Sequence, residues 1–205
     1  MEDFNNFKII GIRPLKGCSP RILKNLKVDQ PYFFYNNYTL VDNEIIVNKQ
    51  TLPVDFFSPG INIHAIVGVN GSGKSSVIDI LSRLINNIAF AFLCKEDRPA
   101  AEKLSLVNKL NAEFYYTKNE KISIIRQIDN IITWIRPKKK NVILDLNIIS
   151  KQNKILTFVE YNDKIELESL FYTIVTNYSL YAYNSIDLKH ESSKNSCWIN
   201  GLFHK

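Results

Sequence analysis

Three of the chain's seven glycines fall within six residues, in a segment whose residue types suit one kind of chemistry. Residues 68–75 read Gly-Val-Asn-Gly-Ser-Gly-Lys-Ser and match G-x-x-x-x-G-K-[ST] at every fixed position. Glycines let such a loop turn its backbone N–H groups inward, and the helix that follows presents its N-terminus to the same anion. The segment therefore predicts a phosphate-binding P-loop, or Walker A motif.

Two side chains of the loop add functions that the backbone lacks. Lys74 is expected to reach the β- and γ-phosphates of a nucleotide as a point charge, and the Ser75 hydroxyl is expected to ligate Mg²⁺. The predicted ligand is thus ATP or ADP with Mg²⁺. The predicted nucleotide-binding residues are Gly68, Val69, Asn70, Gly71, Ser72, Gly73, Lys74, Ser75 and Ser76.

A P-loop is positioned by a buried strand before it and a helix after it, and the sequence predicts both. Residues 61–67 are mostly β-branched and lie between Pro59-Gly60 and Gly68, which is typical of a buried central strand. In residues 75–93, apolar side chains recur at spacings of four and three, which predicts a helix. Because a second apolar stripe runs along this helix, we expect it to lie between two layers.

The remaining segments predict mostly antiparallel strands. Ahead of the P-loop, residues 7–15, 32–35, 39–41 and 44–47 alternate or are β-rich and are joined by Asn-rich turns. After it come a short helix over 103–110 and two hairpins, 112–116 with 122–128 and 142–149 with 155–161. A short helix over 165–170 and a strand over 171–176 follow.

The predicted fold class is α/β with α+β character. It is a P-loop NTPase lobe with an N-terminal antiparallel sheet over 1–60, a Walker A strand, loop and helix over 61–93, and β-hairpin insertions with a terminal strand over 94–205. A length of 205 residues suits one such domain. The apolar end of the chain, at Lys205, predicts that this lobe is the N-terminal part of a longer ATPase.

The form Gly-Val-Asn-Gly-Ser-Gly-Lys-Ser-Ser, followed by Val77-Ile-Asp-Ile-Leu81, resembles the ATP-binding cassette ATPases. It is most similar to the soluble chromosome-maintenance, recombination and DNA-repair ATPases and to related bacterial defence ATPases. The resemblance is strong over residues 61–93 and loose elsewhere. It implies two heads that close over ATP and open after hydrolysis, each ATP lying between the Walker A loop of one head and a Ser-Gly-Gly segment of the other.

The sequence departs from that family at two motifs. It contains no Ser-Gly-Gly segment and no apolar run that ends in Asp-Glu, the Walker B pair. The nearest substitute is Asp145 after Val142-Ile-Leu, which we expect on the wet face of a strand. Gln127 and Asn177 are the candidates for the polar residue that the family places near Mg²⁺, although each is also explained as a structural residue. We therefore expect a C-terminal lobe or a second ATPase head to complete the site, and slow hydrolysis by this chain alone.

Other polar and aromatic residues have both a functional and a structural interpretation. Arg13 could approach the base or the phosphates, but an exposed strand arginine is the simpler interpretation. His64 suits a packed sheet histidine better than a ligand. Four tyrosines could stack on bases, yet their strand spacing favours a packed face; they are Tyr172, Tyr178, Tyr181 and Tyr183.

Two alternative functions use different residues. A complete small P-loop kinase would use Asp145 as its Walker B carboxylate and Arg126 or Arg136 to stabilise charge, and its chain should alternate strands and helices after the P-loop. A nucleotide-regulated nucleic-acid-binding module would use the basic run Arg136, Lys138, Lys139 and Lys140, which otherwise suits a solvated loop.

Composition limits the cellular setting. The chain has 26 Lys and Arg against 20 Asp and Glu, a net charge of +6, and 45% hydrophobic residues, which excludes a disordered chain. Its three cysteines are odd in number and lack metal-ligand spacing. An acidic N-terminus and the lack of a long apolar run disfavour secretion and membrane insertion. The predicted compartment is the cytoplasm.

Overall fold

A computed structural model describes residues 7–49, 53, 56–57, 63, 65–92 and 106–147 of the chain. Two helices lie wholly within this part, α1 (Pro20–Leu23) and α2 (Lys74–Phe92). Its eight strands are β1 (Phe7–Pro14), β2 (Tyr32–Phe33), β3 (Tyr38–Val41), β4 (Glu44–Val47), β5 (Ala112–Lys118), β6 (Lys121–Ile128), β7 (Ile131–Ile135) and β8 (Val142–Asp145).

Six strands form one sheet in the order β2-β1-β5-β6-β7-β8, while β3 and β4 form a separate two-stranded sheet. β1 is antiparallel to both of its neighbours, and its pairing with β5 runs from Phe7 opposite Lys118 to Pro14 opposite Ala112. β6 is likewise antiparallel to β5 and to β7. The described fold therefore has mixed helix and strand content with a mostly antiparallel sheet.

Two-residue turns with positive φ set the register of the hairpins. Asp42 and Asn43 join β3 to β4 with φ of 48° and 64°, and Asn119 and Glu120 join β5 to β6 with φ of 50° and 63°. Such turns match the twist of the strands that they connect, and Asn and Asp tolerate positive φ. Both turns confirm the sequence prediction. The third hairpin, β6 to β7 through Asp129 and Asn130, was not predicted.

The core of the sheet lies on β5 and its neighbours. Phe114, Tyr115 and Tyr116 are all buried, so both faces of this strand are covered. Trp134 on β7 is buried as well, and its Nε1 donates a hydrogen bond to the Tyr116 hydroxyl at 2.8 Å. Burying one such large side chain contributes about 1.5–3 kcal/mol, so these residues dominate the stability of the sheet.

Helix α2 is buried along most of its length. Ile80, Leu84 and Ile88 are fully buried, and so are polar residues such as Asn87. The predicted helix over 75–93 is confirmed with a start one residue earlier, at Lys74. Burial on several sides agrees with the second apolar stripe in its sequence.

The predicted central strand ahead of the P-loop is wrong for the residues that the structure describes. Residues 65–67 form no strand, and Val67 is 88% exposed. β-branched residues favour a strand only where neighbouring strands supply hydrogen bonds, and the six strands of the large sheet pair with one another. The pairings of β1, β5, β6 and β7 in the large sheet are all antiparallel. Ile61, Asn62 and His64 lie outside them.

Two further element predictions are wrong in part. Residues 106–110 are not helical, because the side-chain amide of Asn87 bonds both the N–H and the carbonyl of Val107 at 2.9 and 2.8 Å. Strand β8 ends at Asp145 instead of continuing to 149, and residues 146 and 147 are helical. Residues 103–105 and everything after 147, including the elements predicted over 155–161, 165–170 and 171–176, lie outside the described residues.

Contacts divide the chain into two compact units. The first comprises Met1–Leu81 and Lys109–Ile143, and the second comprises Ser82–Asn108 and Leu144–Lys205. The P-loop segment belongs to the first unit, together with β1 to β7 and α1.

Candidate phosphate-binding site

Residues 68–73 form a mostly exposed loop that leads into helix α2, which begins at Lys74. Gly71 and Gly73 have φ of 81° and 95°, a region that side-chain-bearing residues rarely adopt. Between them, the Ser72 N–H donates to the Val69 carbonyl at 3.2 Å and closes a turn. Gly71 and Gly73 thus stand where the backbone turns.

The side chain of Lys74 lies against the loop. Its Nζ donates hydrogen bonds to the carbonyls of Gly68 at 2.7 Å and Val69 at 2.8 Å. Lys74 is the first residue of α2, and these two hydrogen bonds hold its ammonium group against the backbone of the loop. A positive charge therefore stands at the place where the motif requires one.

The start of α2 adds a second favourable feature for an anion. The first helical hydrogen bond runs from Val77 N–H to Gly73 carbonyl, so the N–H groups of Lys74, Ser75 and Ser76 precede the helical ladder. The first turn of the helix contains no acidic residue. The helix dipole and these donors therefore present a positive end to the loop. Ser75 is exposed there, whereas Ser76 is buried.

Residues 24–26, which follow α1, contact the loop and were missed by the sequence analysis. The Asn25 side-chain amide donates to the Gly71 carbonyl, and Lys24 Nζ lies 3.4 Å from the Asp79 carboxylate on α2. Leu26 packs against Gly73. No motif marks these residues, because their partners are more than forty positions away in the sequence.

Arg13 is not at the P-loop in the described contacts. Its guanidinium bonds the Asp29 carbonyl at 3.1 Å and Asn43 Oδ1 at 2.7 Å, and lies 3.5 Å from the buried carboxylate of Glu113. Arg126 meets the same carboxylate at 2.6 Å. Glu113 therefore lies between two arginines, and the exposed position expected for Arg13 is wrong.

Burial and the Glu113 charge also affect a neighbouring phenol. Tyr115 donates a hydrogen bond to Glu113, and its pKa is raised, mainly by burial and then by the adjacent carboxylate. Tyr115 is therefore a neutral hydrogen-bond donor at physiological pH. Glu113, its two arginines and Tyr115 thus form one cluster of ion pairs and a hydrogen bond on the neighbouring strands β1, β5 and β6.

Two other carboxylate and amide candidates have local structural roles. Gln127 is fully buried on β6, and its Nε2 donates to the Asp129 carbonyl at 3.0 Å. Asp145 Oδ1 accepts a hydrogen bond from the Asn147 N–H at 2.9 Å, which caps the helical turn after β8. Asp145 is thus half-buried at the end of its strand. Its strand does not continue past it, contrary to the prediction of an alternating strand.

The basic run lies in the turn between β7 and β8. Lys138, Lys139 and Lys140 are exposed, whereas Arg136 is buried with its guanidinium 4.0 Å from the Trp134 ring centroid. Arg136 therefore joins the core, which the solvated-loop interpretation did not anticipate.

Several candidates cannot be placed. Asn177, His64 and the four tyrosines over 172–183 lie outside the described residues, as do Cys94 and Cys197. Cys18 is buried. Within the described part of the chain, no group of three or more His, Cys, Asp or Glu is arranged to hold a metal ion. Among the same residues no helix is long and apolar enough to cross a membrane.

Comparisons with protein-family models, with curated proteins and with solved structures found no match to the chain.

Proposed function

We propose that the chain binds ATP or ADP with Mg²⁺ through residues 68–76, as the N-terminal part of an ATP-binding cassette-type ATPase acting in DNA repair, chromosome maintenance or defence. The observation that carries the proposal is the position of Lys74, which starts a 19-residue helix and bonds the carbonyls of Gly68 and Val69. A complete Walker A pattern, with glycines at the two positive-φ positions, supports it.

The residues of the loop fit a phosphate group. The positive end of α2, the ammonium of Lys74 and the exposed hydroxyl of Ser75 lie within one short segment that carries no acidic residue. When bound, Mg²⁺ neutralises charge on the phosphate oxygens. Lys74 holds the phosphates by its charge, Ser75 offers an oxygen ligand, and the loop N–H groups donate hydrogen bonds.

The arrangement after α2 favours an ATPase lobe over a small kinase. A kinase of this size is expected to alternate strands and helices after its P-loop. The described residues 112–147 instead contain four strands in sequence, of which β5, β6 and β7 are joined as antiparallel hairpins. In this proposal a C-terminal lobe or a second head supplies the signature segment and the Walker B carboxylates. The odd number of cysteines supports action in the reducing cytoplasm.

Binding of a fluorescent ATP analogue in the presence of Mg²⁺ tests the proposal. The wild-type chain is expected to bind saturably, and Lys74→Ala is expected to weaken binding by at least about tenfold, since a charge-assisted contact to phosphate is lost. Lys27→Ala is the matched control, because Lys27 is an exposed lysine outside the loop. Equal affinity of the wild-type and Lys74→Ala chains contradicts the proposal.

A second candidate function, nucleic-acid binding, is favoured by the distribution of lysines on the large sheet. The antiparallel register brings six lysines to one end of it, here called the lysine end: Lys8, Lys118, Lys121, Lys138, Lys139 and Lys140. Lys118 stands directly opposite Lys121, a like-charge pair that costs stability. Among the described residues of these strand ends and turns, Glu120 is the acidic residue.

The lysine end is suited to a phosphate backbone. Stacking on Trp134 and a 3.4 Å bond from the Arg136 guanidinium to the Lys140 carbonyl anchor the β7–β8 turn to the core. Its exposed lysines therefore form a fixed array of charge. Strands are about 4.8 Å apart, so the array from β1 to β7 spans about 14 Å, enough for more than one phosphate.

Anisotropy of a labelled 30-base-pair DNA duplex, titrated at several salt concentrations, tests this candidate. Replacing Lys138, Lys139 and Lys140 by alanine is expected to lower the slope of log affinity against log salt by about 3. The control replaces three exposed lysines outside the lysine end: Lys16 after β1, Lys27 after α1 and Lys109 before β5. If both triple variants change the slope equally, the lysine end has no special role.

A further inference from the structure

We propose that Asn25 is a positioning residue for the P-loop and that, with Lys24 and Leu26, it holds the loop in the form that accepts phosphate. This inference rests on the proposed nucleotide binding. It assigns a role in that binding to a segment with no recognisable motif. The three residues form a continuous stretch after α1 and are called the clasp.

Asn25 acts on the backbone of the loop. Its side-chain amide donates a hydrogen bond to the carbonyl of Gly71. In a planar trans peptide this carbonyl points away from the N–H of the next residue, Ser72, which donates to the Val69 carbonyl at 3.2 Å. The peptide unit between Gly71 and Ser72 is therefore held at both ends. A rotation of this unit would break both hydrogen bonds.

Leu26 contacts the same loop, and Lys24 contacts the helix that follows it. Leu26 is buried, and a Cβ placed on Gly73 would lie 2.7 Å from its Cδ2, so the leucine occupies the space that a side chain at Gly73 would need. Lys24 Nζ lies 3.4 Å from the Asp79 carboxylate, one and a half turns into α2. The clasp thus contacts the loop at Gly71 and Gly73 and the helix at Asp79.

A loop with several glycines needs such contacts because its backbone has many accessible conformations. Glycine loses more conformational freedom on ordering than any other residue, and a ligand that must order the loop binds more weakly. Contacts that order the loop before the ligand arrives remove part of that cost. The clasp therefore affects phosphate affinity without touching the phosphate.

Asn25 can be tested without disturbing the core. Its side chain is exposed, unlike that of Leu26, so removal of its amide leaves the buried residues in place. Asn48 is a matched control, since it is also exposed and its Nδ2 donates to Thr39 Oγ1 at 3.2 Å in the small sheet. Both substitutions by alanine remove one exposed amide and one hydrogen bond.

The experiment compares Asn25→Ala with Asn48→Ala in the full chain by two measurements. Hydrogen exchange of the peptide covering residues 68–76, without nucleotide, is expected to speed up in Asn25→Ala alone. The affinity for ATP with Mg²⁺ is expected to fall about fivefold to tenfold in Asn25→Ala and to stay unchanged in Asn48→Ala. The melting temperature without nucleotide is expected to be the same in both.

Swapping the charges of Lys24 and Asp79 tests whether their ion pair contributes to the clasp. Lys24→Asp is expected to speed exchange in the same peptide, because it places two carboxylates together. Adding Asp79→Lys in the same chain is expected to restore slow exchange. Without this recovery, the Lys24 contact has no part in the clasp.

The outcomes separate the inference from the function on which it rests. If the wild-type chain does not bind ATP, the proposed function is wrong, whereas faster exchange in Asn25→Ala still supports a clasp on the loop. If the wild-type chain binds ATP and Asn25→Ala changes neither the exchange nor the affinity, the clasp is wrong and nucleotide binding stands.

Discussion

Gly73 combines a backbone constraint and a packing constraint in one residue. Its φ of 95° is unfavourable for any residue with a side chain, and Leu26 fills the space where that side chain would begin. Gly71 has a similar φ of 81°, but the nearest atom to its missing Cβ is 3.7 Å away. Substitutions at the two glycines therefore allow the cost of a side chain at positive φ to be measured separately from the cost of its clash with Leu26.

Alanine substitutions at these glycines should differ in cost. Gly71→Ala is expected to lower the free energy of unfolding by about 1–2 kcal/mol through its positive φ. Gly73→Ala is expected to cost a further 1–3 kcal/mol or so through the clash with Leu26, part of which Leu26→Ala should relieve. Urea unfolding of the single and double variants measures these differences. Equal costs at the two positions would show that Leu26 does not constrain Gly73.

Glu113 is the residue on which the ionic network of the sheet depends. Its buried carboxylate bonds Arg126 and Tyr115 and lies near Arg13, so Glu113→Ala leaves two guanidinium groups without their common partner. We expect a loss of about 2–4 kcal/mol, toward the lower end because the Arg126 side chain is 36% exposed and can turn to solvent. Urea unfolding checks the value. A loss below about 0.5 kcal/mol would contradict this role.

Strand β8 has two interpretations, in which Asp145 is either a Walker B carboxylate or a cap for the turn that follows. The sequence Val142-Ile-Leu-Asp has the apolar run of a Walker B strand, and the strand does end at its carboxylate. In the structure that carboxylate caps the following turn through the Asn147 N–H. A capping role needs an acceptor oxygen, whereas a role in hydrolysis needs a charge.

Substitutions of Asp145 distinguish these roles. Asp145→Asn keeps the acceptor, so we expect little loss of stability and ATP affinity within about twofold of the wild type. Asp145→Ala removes the acceptor and is expected to cost about 1 kcal/mol of unfolding free energy. A kinase that uses Asp145 would instead lose its phosphoryl-transfer activity in Asp145→Asn.

Three tyrosines with raised pKa values should lower the free energy of unfolding at high pH; they lie on β3, on β5 and beside β2. Burial raises the pKa of Tyr35 to about 12, with a smaller effect of Tyr38, and burial also raises the pKa values of Tyr38 and Tyr115. The unfolded chain releases these protons near pH 10, so above that pH it binds fewer protons than the folded chain. Stability is therefore present in full below about pH 10 and is lost as the pH rises through the folded values.

Urea unfolding between pH 8 and pH 11.5 measures this loss. Tyr35→Phe removes one titrating group and is expected to flatten the fall. An unfolding free energy that stays constant from pH 9 to pH 11 contradicts the raised pKa values.

Local patterns predicted the elements whose causes are local. The helix from Lys74, strand β4 and the turns at Asp42-Asn43 and Asn119-Glu120 depend on periodicity and on residues that tolerate positive φ, and all are confirmed. The pairing of β1 with β5 depends on residues about a hundred positions apart, which no local pattern encodes. Within the strand predicted over 61–67, the described residues 65–67 are not a strand for a related reason, since β-branched residues do not supply a neighbouring strand.

The residues of the candidate site also differ in whether the local sequence could predict them. The P-loop was predictable as a motif, because phosphate chemistry requires particular residues at fixed spacing, and its nucleotide binding stays a prediction. The clasp was not, because Asn25 contacts Gly71 only through the fold. Arg13 was predicted as an exposed residue and instead meets Glu113, which alternation along one strand could not indicate.

At the scale of the whole molecule, the proposed function gives this chain the phosphate-binding half of a nucleotide site. Its sequence has no Ser-Gly-Gly segment and no Asp-Glu pair, so we expect weak nucleotide binding and slow hydrolysis without further partners. Nearly all of the affinity must then come from the phosphates. Since a P-loop surrounds the β-phosphate, the number of phosphates should decide which nucleotides bind.

Calorimetric titration of the full chain with ATP, ADP, AMP and adenosine, each with Mg²⁺, is the most direct test of this account. We expect ATP and ADP to bind with similar affinity, AMP to bind at least about tenfold more weakly, and adenosine to give no measurable binding. The same titrations with Lys74→Ala should remove the preference for ATP and ADP. Equal binding of all four ligands, or of none, would contradict a phosphate-binding P-loop.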